Sequence, residues 1–185
     1  VLRGVTGVDG RSLWEQWTEK GALPELSLPG SGSDFAVFVH HLGVPFVALD
    51  SWIEGLKCSG VSIHHSKGGM MATNHLISLG HTRIGCITGP RGSYTAERRL
   101  KGYVSALTEA GIPFDESLVA VGDYQFESGS CAADLLIDRG VSAIFASNDL
   151  MAYGAYQAVQ ARGLKVPEDV SIVGFDDLFF SNILP

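Results

Sequence analysis

Cysteine is scarce in this chain of 185 residues: Cys58, Cys86 and Cys131 lie far apart and form no C-x-x-C pair. So sparse and odd a set supplies no disulfide framework and suits a reducing cytosol, so a cytoplasmic protein is expected. Positive charge is also short. Thirteen Lys and Arg stand against 20 Asp and Glu, giving a formal charge of -7 and a sequence pI near 5.2. That balance offers no electrostatic footprint for nucleic acid, so any DNA contact is expected outside this chain. No apolar run approaches membrane-spanning length. Val1-Leu2-Arg3-Gly4 shows neither a charged-then-apolar secretion signal nor an initiator Met, as expected of a chain that begins partway through a longer one.

Catalytic signatures are missing too. The chain contains no G-x-G-x-x-G, G-x-x-x-x-G-K-[ST] or G-x-S-x-G. Six histidines include the doublets His40-His41 and His64-His65. Adjacent side chains diverge on a strand or a helix, and neither doublet has a nearby Cys or H-x-x-x-H spacing, so no metal site is expected. No catalytic residue and no cofactor is expected either.

What remains is an ordinary globular composition, 45% hydrophobic and 18% charged with a mean hydropathy of +0.18. That is enough for a real core in one domain or two small lobes. Residues 11–43 read poorly. Trp14, Trp17, Pro24 and Pro29 surround the soft run Gly30-Ser31-Gly32-Ser33, a loop by composition, and 34–39 fit a short helix or a strand equally well.

From Val44 the pattern becomes regular. Apolar runs at 44–49, 83–88, 118–121, 142–146 and 170–175 read as strands. Between them, helices are predicted over 66–79, 95–110, 127–138 and 149–162, three of them closed by Gly80, Gly111 and Gly163. In the second, Ala96, Leu100, Tyr103, Leu107 and Ala110 repeat at four, three, four and three, one apolar stripe. In the third, Cys131/Leu135 and Ala132/Leu136 form i,i+4 pairs expected to face a core. Strands without alternation, each separated by a helix, imply a doubly wound α/β fold with a parallel sheet and helices on both faces.

Ligands of open parallel sheets bind beyond the carboxyl ends of the strands, at a topological switch point. Those ends carry Asp50, Gly89-Pro90, Ser147-Asn148-Asp149 and Asp176-Asp177, groups suited to hydroxyls or amides. Ordinary roles compete: Ser147, Asn148 or Asp149 can cap a helix, and Asp176 can fix a turn. Arg99, in the first turns of its helix, can grip paired hydroxyls or a carboxylate bidentately, or simply be a solvated helix charge. Tyr124 can stack on a sugar ring or belong to the core.

Four motifs in order carry a resemblance. Leu76-Ile77-Ser78-Leu79-Gly80-His81-Thr82-Arg83-Ile84-Gly85 with Ile87-Thr88-Gly89-Pro90, then Arg99-Leu100-Lys101-Gly102-Tyr103, then Ser147-Asn148-Asp149-Leu150-Met151-Ala152, and 166–177 resemble segments of the LacI/GalR transcription regulators over roughly residues 44–185. The resemblance implies a sensor like the periplasmic sugar-binding proteins, with a partial first lobe over 1–62 and a second over 63–185. It implies a small polar effector held between lobes, a sugar or sugar phosphate by default with purine nucleobases as the other class. It also implies a homodimer whose missing helix-turn-helix head binds DNA. Arg99, Asn148 and Asp176 match the family's main effector contacts, Tyr124 an aromatic lining the pocket, and Thr95 and Asp50 more variable contacts. A sugar-binding protein of a transport system shares the same fold and pocket logic, but the 80–83 and 166–169 segments look more like the regulators.

The chain departs from the family pattern in places. Val8-Asp9-Gly10 resembles a motif found well inside the first lobe, yet Arg11 to Trp17 does not read as the strand expected after it. His64-His65 stands where the family has Asp-Asn, which is expected to shift capping of the next helix to Ser66. The chain stops at Leu184-Pro185, where the family runs on, so exposed apolar lobe surface and an aggregation tendency are expected.

Overall fold

The computed structural model describes residues 47–50 and 59–178. The expectations for residues 1–46, with the His40-His41 doublet and the soft glycine-serine run, lie outside the described residues. A first pair of strands, β1 (Val47–Leu49) and β2 (Ser59–Val61), forms a two-stranded sheet. The elements that follow are α1 (His65–Ser78), β3 (Ile84–Thr88), α2 (Tyr94–Glu109), β4 (Val119–Val121), α3 (Phe126–Asp138), β5 (Ala143–Ala146), α4 (Asp149–Ala161) and β6 (Ser171–Val173).

The four later strands form one parallel sheet in the order β4-β3-β5-β6. Cys86 pairs with Val119 on one side and Phe145 on the other, so β3 and β5 form the centre of the sheet. Their residues are buried on both faces, which is why they read as continuous apolar runs. Alternation still sorts them. Ile84, Cys86, Ala143 and Phe145 pack with Leu76, Tyr103 and Leu107 of α1 and α2. Ile87, Ile144 and Ala146 pack with Ala132, Leu136, Met151, Ala155 and Val159 of α3 and α4. The sheet is therefore a middle layer between two helix pairs.

Glycines set how close those helices come. A Cβ on Gly69 would lie 2.3 Å from the Arg99 carbonyl oxygen, and one on Gly102 2.1 Å from that of Ser66. Only backbone fits there, so α1 and α2 cross at close range. Gly80, Gly111 and Gly163 take the positive φ expected of residues that follow a helix.

Three local expectations need correction. Helix α1 starts at His65, and its N-cap is His64 with no side-chain capping bond; the Gly68 amide donates to the His64 carbonyl instead. Ser66 lies inside the helix, too late in the chain to cap it. In α3, Ala132 and Leu136 are buried, but Cys131 and Leu135 are exposed, because the neighbouring stripe of the helix faces solvent. The last strand ends at Val173, so Gly174 lies beyond it and Phe175 in the bend that follows.

Candidate functional site

From β3 the chain passes to β4 on one side and then returns to β5 on the other side of β3, so the switch point lies between β3 and β5. The segments leaving the carboxyl ends of the strands bring the predicted residues together in two hydrogen-bonded groups.

The first group is built on Arg99. Although charged, it is only 7% exposed, and it lies in the second turn of α2, just past the Ser93 cap. Its Nε donates to His65 Nδ1 at 3.3 Å, its Nη1 to the Ser147 carbonyl, and its Nη2 to Asp176 Oδ1 at 3.3 Å. The guanidinium carbon sits 3.8 Å from the centroid of the Phe175 ring, a cation–π contact. The solvated-charge alternative for Arg99 does not hold. Asp50 joins this group through His65, whose Nε2 lies 2.8 Å from Asp50 Oδ1. The same oxygen accepts from Ser62 Oγ and the Ile63 amide.

Two carboxyls of this group are shifted in opposite directions. The hydrogen bond from His65 leads the causes that hold Asp50 below its ordinary value. Asp176 is raised, chiefly by burial, with the nearby Asp149 charge adding to the rise and Arg99 opposing it. Asp149 is itself buried, and its Oδ2 accepts from the Leu178 amide at 2.7 Å.

The second group joins Thr95, Tyr124 and Asn148. Tyr124 OH lies 2.9 Å from Thr95 Oγ1 and 3.2 Å from Ser93 Oγ, so the ring spans from the end of β4 to the start of α2. Gly89 makes room for it, since a Cβ there would fall 2.1 Å from Tyr124 Cζ. Tyr124 holds a left-handed φ of 68° while its carbonyl accepts from Asn148 Nδ2 at 3.0 Å. Asn148 also caps α4, its Oδ1 accepting from the Met151 amide at 3.0 Å. The capping alternative for Asn148 is thus real, and one N–H of its amide remains uncommitted among the described residues. Asp176, at φ 105°, likewise fixes a bend while pairing with Arg99.

The two groups meet at Ser147-Asn148, where the Ser147 carbonyl belongs to the first group and the Asn148 side chain to the second. Ser147 Oγ is fully buried without a hydrogen-bond partner among the described residues. A cleft of about 240 Å³ lined by Ser62, His64, His65, Tyr94 and Arg98 opens beside the first group. Among the described residues no cluster of three or more His, Cys, Asp or Glu is placed to hold a metal, and no helix is long and apolar enough to cross a membrane.

Sequence reasoning missed His65 and Phe175. In the sequence His65 reads as half of a chelating doublet and of the pair that stands where the family has Asp-Asn, whereas it is a buried ring packed 6.3 Å from Phe175 at 27°. The available signal was Gly68-Gly69 just after His65 and Gly102 just after Arg99, small residues that mark a close helix crossing.

Comparison with known proteins agrees with this architecture. The periplasmic binding protein-like domain matches residues 73–185, more than half of the chain. The chain is 48% identical over 125 residues to the HTH-type transcriptional regulator DegA of Bacillus subtilis, covering 66% of this chain and 37% of DegA. It is 42% identical over 139 residues to the HTH-type transcriptional regulator CelR of Thermobifida fusca, covering 73% and 41%. The solved CelR–cellobiose complex superposes with a TM-score of 0.76 at 37% identity, over 91% of this chain and 55% of that one. The chain spans less than half the length of these curated relatives. It belongs to the periplasmic binding protein-like domain family and is similar to LacI-family transcription regulators.

Proposed function

We propose that this chain senses a neutral saccharide at the carboxyl edge of its parallel sheet and thereby modulates DNA binding by a helix-turn-helix segment of the same protein. The observation that carries this reading is the Arg99–Asp176 pair at the switch point, a buried guanidinium and a partly exposed carboxylate side by side. Together they offer donors and acceptors to vicinal hydroxyls. Asn148, Tyr124 and Thr95 add further polar groups on the other side of Ser147. The relatives named above support the regulator over a transport protein, and CelR is solved with cellobiose.

Charge favours a neutral ligand over a sugar phosphate. Among the described residues Arg99 is the one buried Lys or Arg; it pairs with Asp176, is linked to Asp50 through His65, and Asp149 acts on Asp176, so an added dianion meets more carboxylate than guanidinium. A nucleobase is a poorer fit, because the Arg99 guanidinium already occupies a face of Phe175.

In this reading the site carries out no catalysis. The effector acts by preferring one conformation of the protein over another, and only that differential affinity shifts the population. We assign residues 1–62 to a first lobe and 63–185 to a second; the contact pattern groups Gly60–Pro185 in one compact unit, together with Ala48–Trp52. A cytoplasmic homodimer follows from the regulator reading, and the charge of -7 directs DNA contact to another segment.

A thermal-shift screen tests the ligand class, with cellobiose, glucose and ribose set against glucose 6-phosphate and guanine. A ligand at a hundred times its Kd adds about 2.7 kcal/mol to the folded state. For a chain of this size that is a rise in Tm of roughly 5–10 °C. A neutral saccharide is expected to give it. A rise only with the phosphate ester or the purine would overturn the assignment.

A further inference from the structure

We propose that His65 is a positioning residue for effector recognition, holding the Arg99 guanidinium so that one fixed pair of its N–H groups remains for the ligand. The inference rests on the saccharide-sensing reading above, but its core is a statement about Arg99 that can be tested without ligand.

A guanidinium only donates hydrogen bonds, so His65 Nδ1, facing Arg99 Nε at 3.3 Å, must present a lone pair. The ring proton of this tautomer is then on Nε2, which donates to Asp50 Oδ1 at 2.8 Å. One chain of hydrogen bonds results: Asp50 accepts from His65, and His65 accepts from Arg99. The ring is 2% exposed and packs beside Phe175, which also bears the guanidinium on its face. Asp50 comes from the end of β1, Arg99 from α2, and Phe175 and Asp176 from the bend after β6, so a single imidazole ties three strand and helix ends together.

Arg99 has five N–H donors. His65 takes the one on Nε, the Ser147 carbonyl takes one on Nη1, and Asp176 takes one on Nη2. Among the described residues two remain without an acceptor, one on each Nη. Without an acceptor at Nε the guanidinium can roll about its own axis on the Phe175 face and exchange which N–H groups point at Asp176 and Ser147. His65 removes that freedom. The close crossing at Gly69 and Gly102 is what brings His65, at the start of α1, within reach of Arg99.

The test uses the full chain and two variants. His65→Asn keeps a side-chain acceptor near the Nδ1 position, whereas His65→Leu keeps bulk and removes it. Nitrogen-15 NMR is expected to show His65 Nδ1 unprotonated, and an Arg99 Nε–H that exchanges slowly in the wild type and in His65→Asn but not in His65→Leu. A slowly exchanging Arg99 Nε–H in His65→Leu, or a protonated Nδ1 in the wild type, overturns the proposal. Titration with cellobiose, glucose and ribose supplies the binding arm. Whichever sugar binds the wild type is expected to bind His65→Leu about tenfold more weakly, the loss of one charged hydrogen bond, with His65→Asn much closer to wild type. Equal affinity in His65→Leu overturns the proposal. If none of the three sugars binds the wild type, the saccharide reading fails by itself, and the Arg99 Nε–H signal alone decides the role of His65.

Discussion

Replacing Asn148 by alanine removes two bonds at once, and the structure separates their contributions. Its Oδ1 caps α4 through the Met151 amide, and its Nδ2 holds the carbonyl of Tyr124, a residue in left-handed backbone. Loss of an N-cap costs about 1 kcal/mol, and a typical intramolecular hydrogen bond contributes about as much again. Asn148→Ala should therefore destabilise the fold by about 2 kcal/mol, a fall in Tm of roughly 4–8 °C. Asn148→Ser retains a cap acceptor but is too short to reach the Tyr124 carbonyl, so it should lose about half as much. Scanning calorimetry with urea denaturation of the three proteins measures both steps. If the alanine variant melts within about 1 °C of the wild type, or the serine variant is as damaged as alanine, the two-bond account is wrong.

Other consequences can be checked on the same chain. Asp176 has a raised folded-state pKa, so its contribution to stability is fullest below the unfolded carboxyl value and is lost as pH rises through the folded value. Asp176→Asn, which mimics the protonated group, should accordingly melt higher than wild type at pH 7, with the gap closing towards pH 4; a lower Tm at pH 7 refutes this. Gly102→Ala puts a methyl group against the Ser66 carbonyl and should force α1 and α2 apart, costing about 1–3 kcal/mol by urea denaturation. An unchanged midpoint would show that the crossing is loose. Gly89→Ala should displace the Tyr124 ring and free its hydroxyl from Thr95, seen as a changed tyrosine fluorescence with little loss of helix by circular dichroism. Unaltered fluorescence would contradict that packing.

Much of the second half of the chain was legible in the sequence because its physics is local. Strands β3 and β5 are central and parallel, so they are unbroken apolar runs, and the glycines after α1, α2 and α4 mark where those helices stop. What escaped depended on geometry between elements. An i,i+4 pair shows that Cys131 and Leu135 share a stripe, but not that the stripe faces water. Arg99 sits on a helix like any surface charge, and only the close crossing of α1 and α2 reveals its burial. Asp50 and His65 meet across fifteen residues of sequence that no periodicity pairs, so each reads in isolation. Asn148 and Asp176 posed a different difficulty: capping or turning and ligand recognition call for the same residue types at the same strand ends, and here both structural roles are present alongside the candidate site.

The central claim is that a neutral sugar is held by Arg99 and Asp176 at the switch point. Isothermal titration of the full chain with the sugar that most raises its Tm, repeated on Arg99→Ala and Asp176→Ala, tests it most directly. Each substitution leaves a charged partner unmatched, so each should weaken binding by about 2–5 kcal/mol, some thirtyfold or more. Unchanged affinity in either variant, with its thermal transition intact, would place the effector elsewhere.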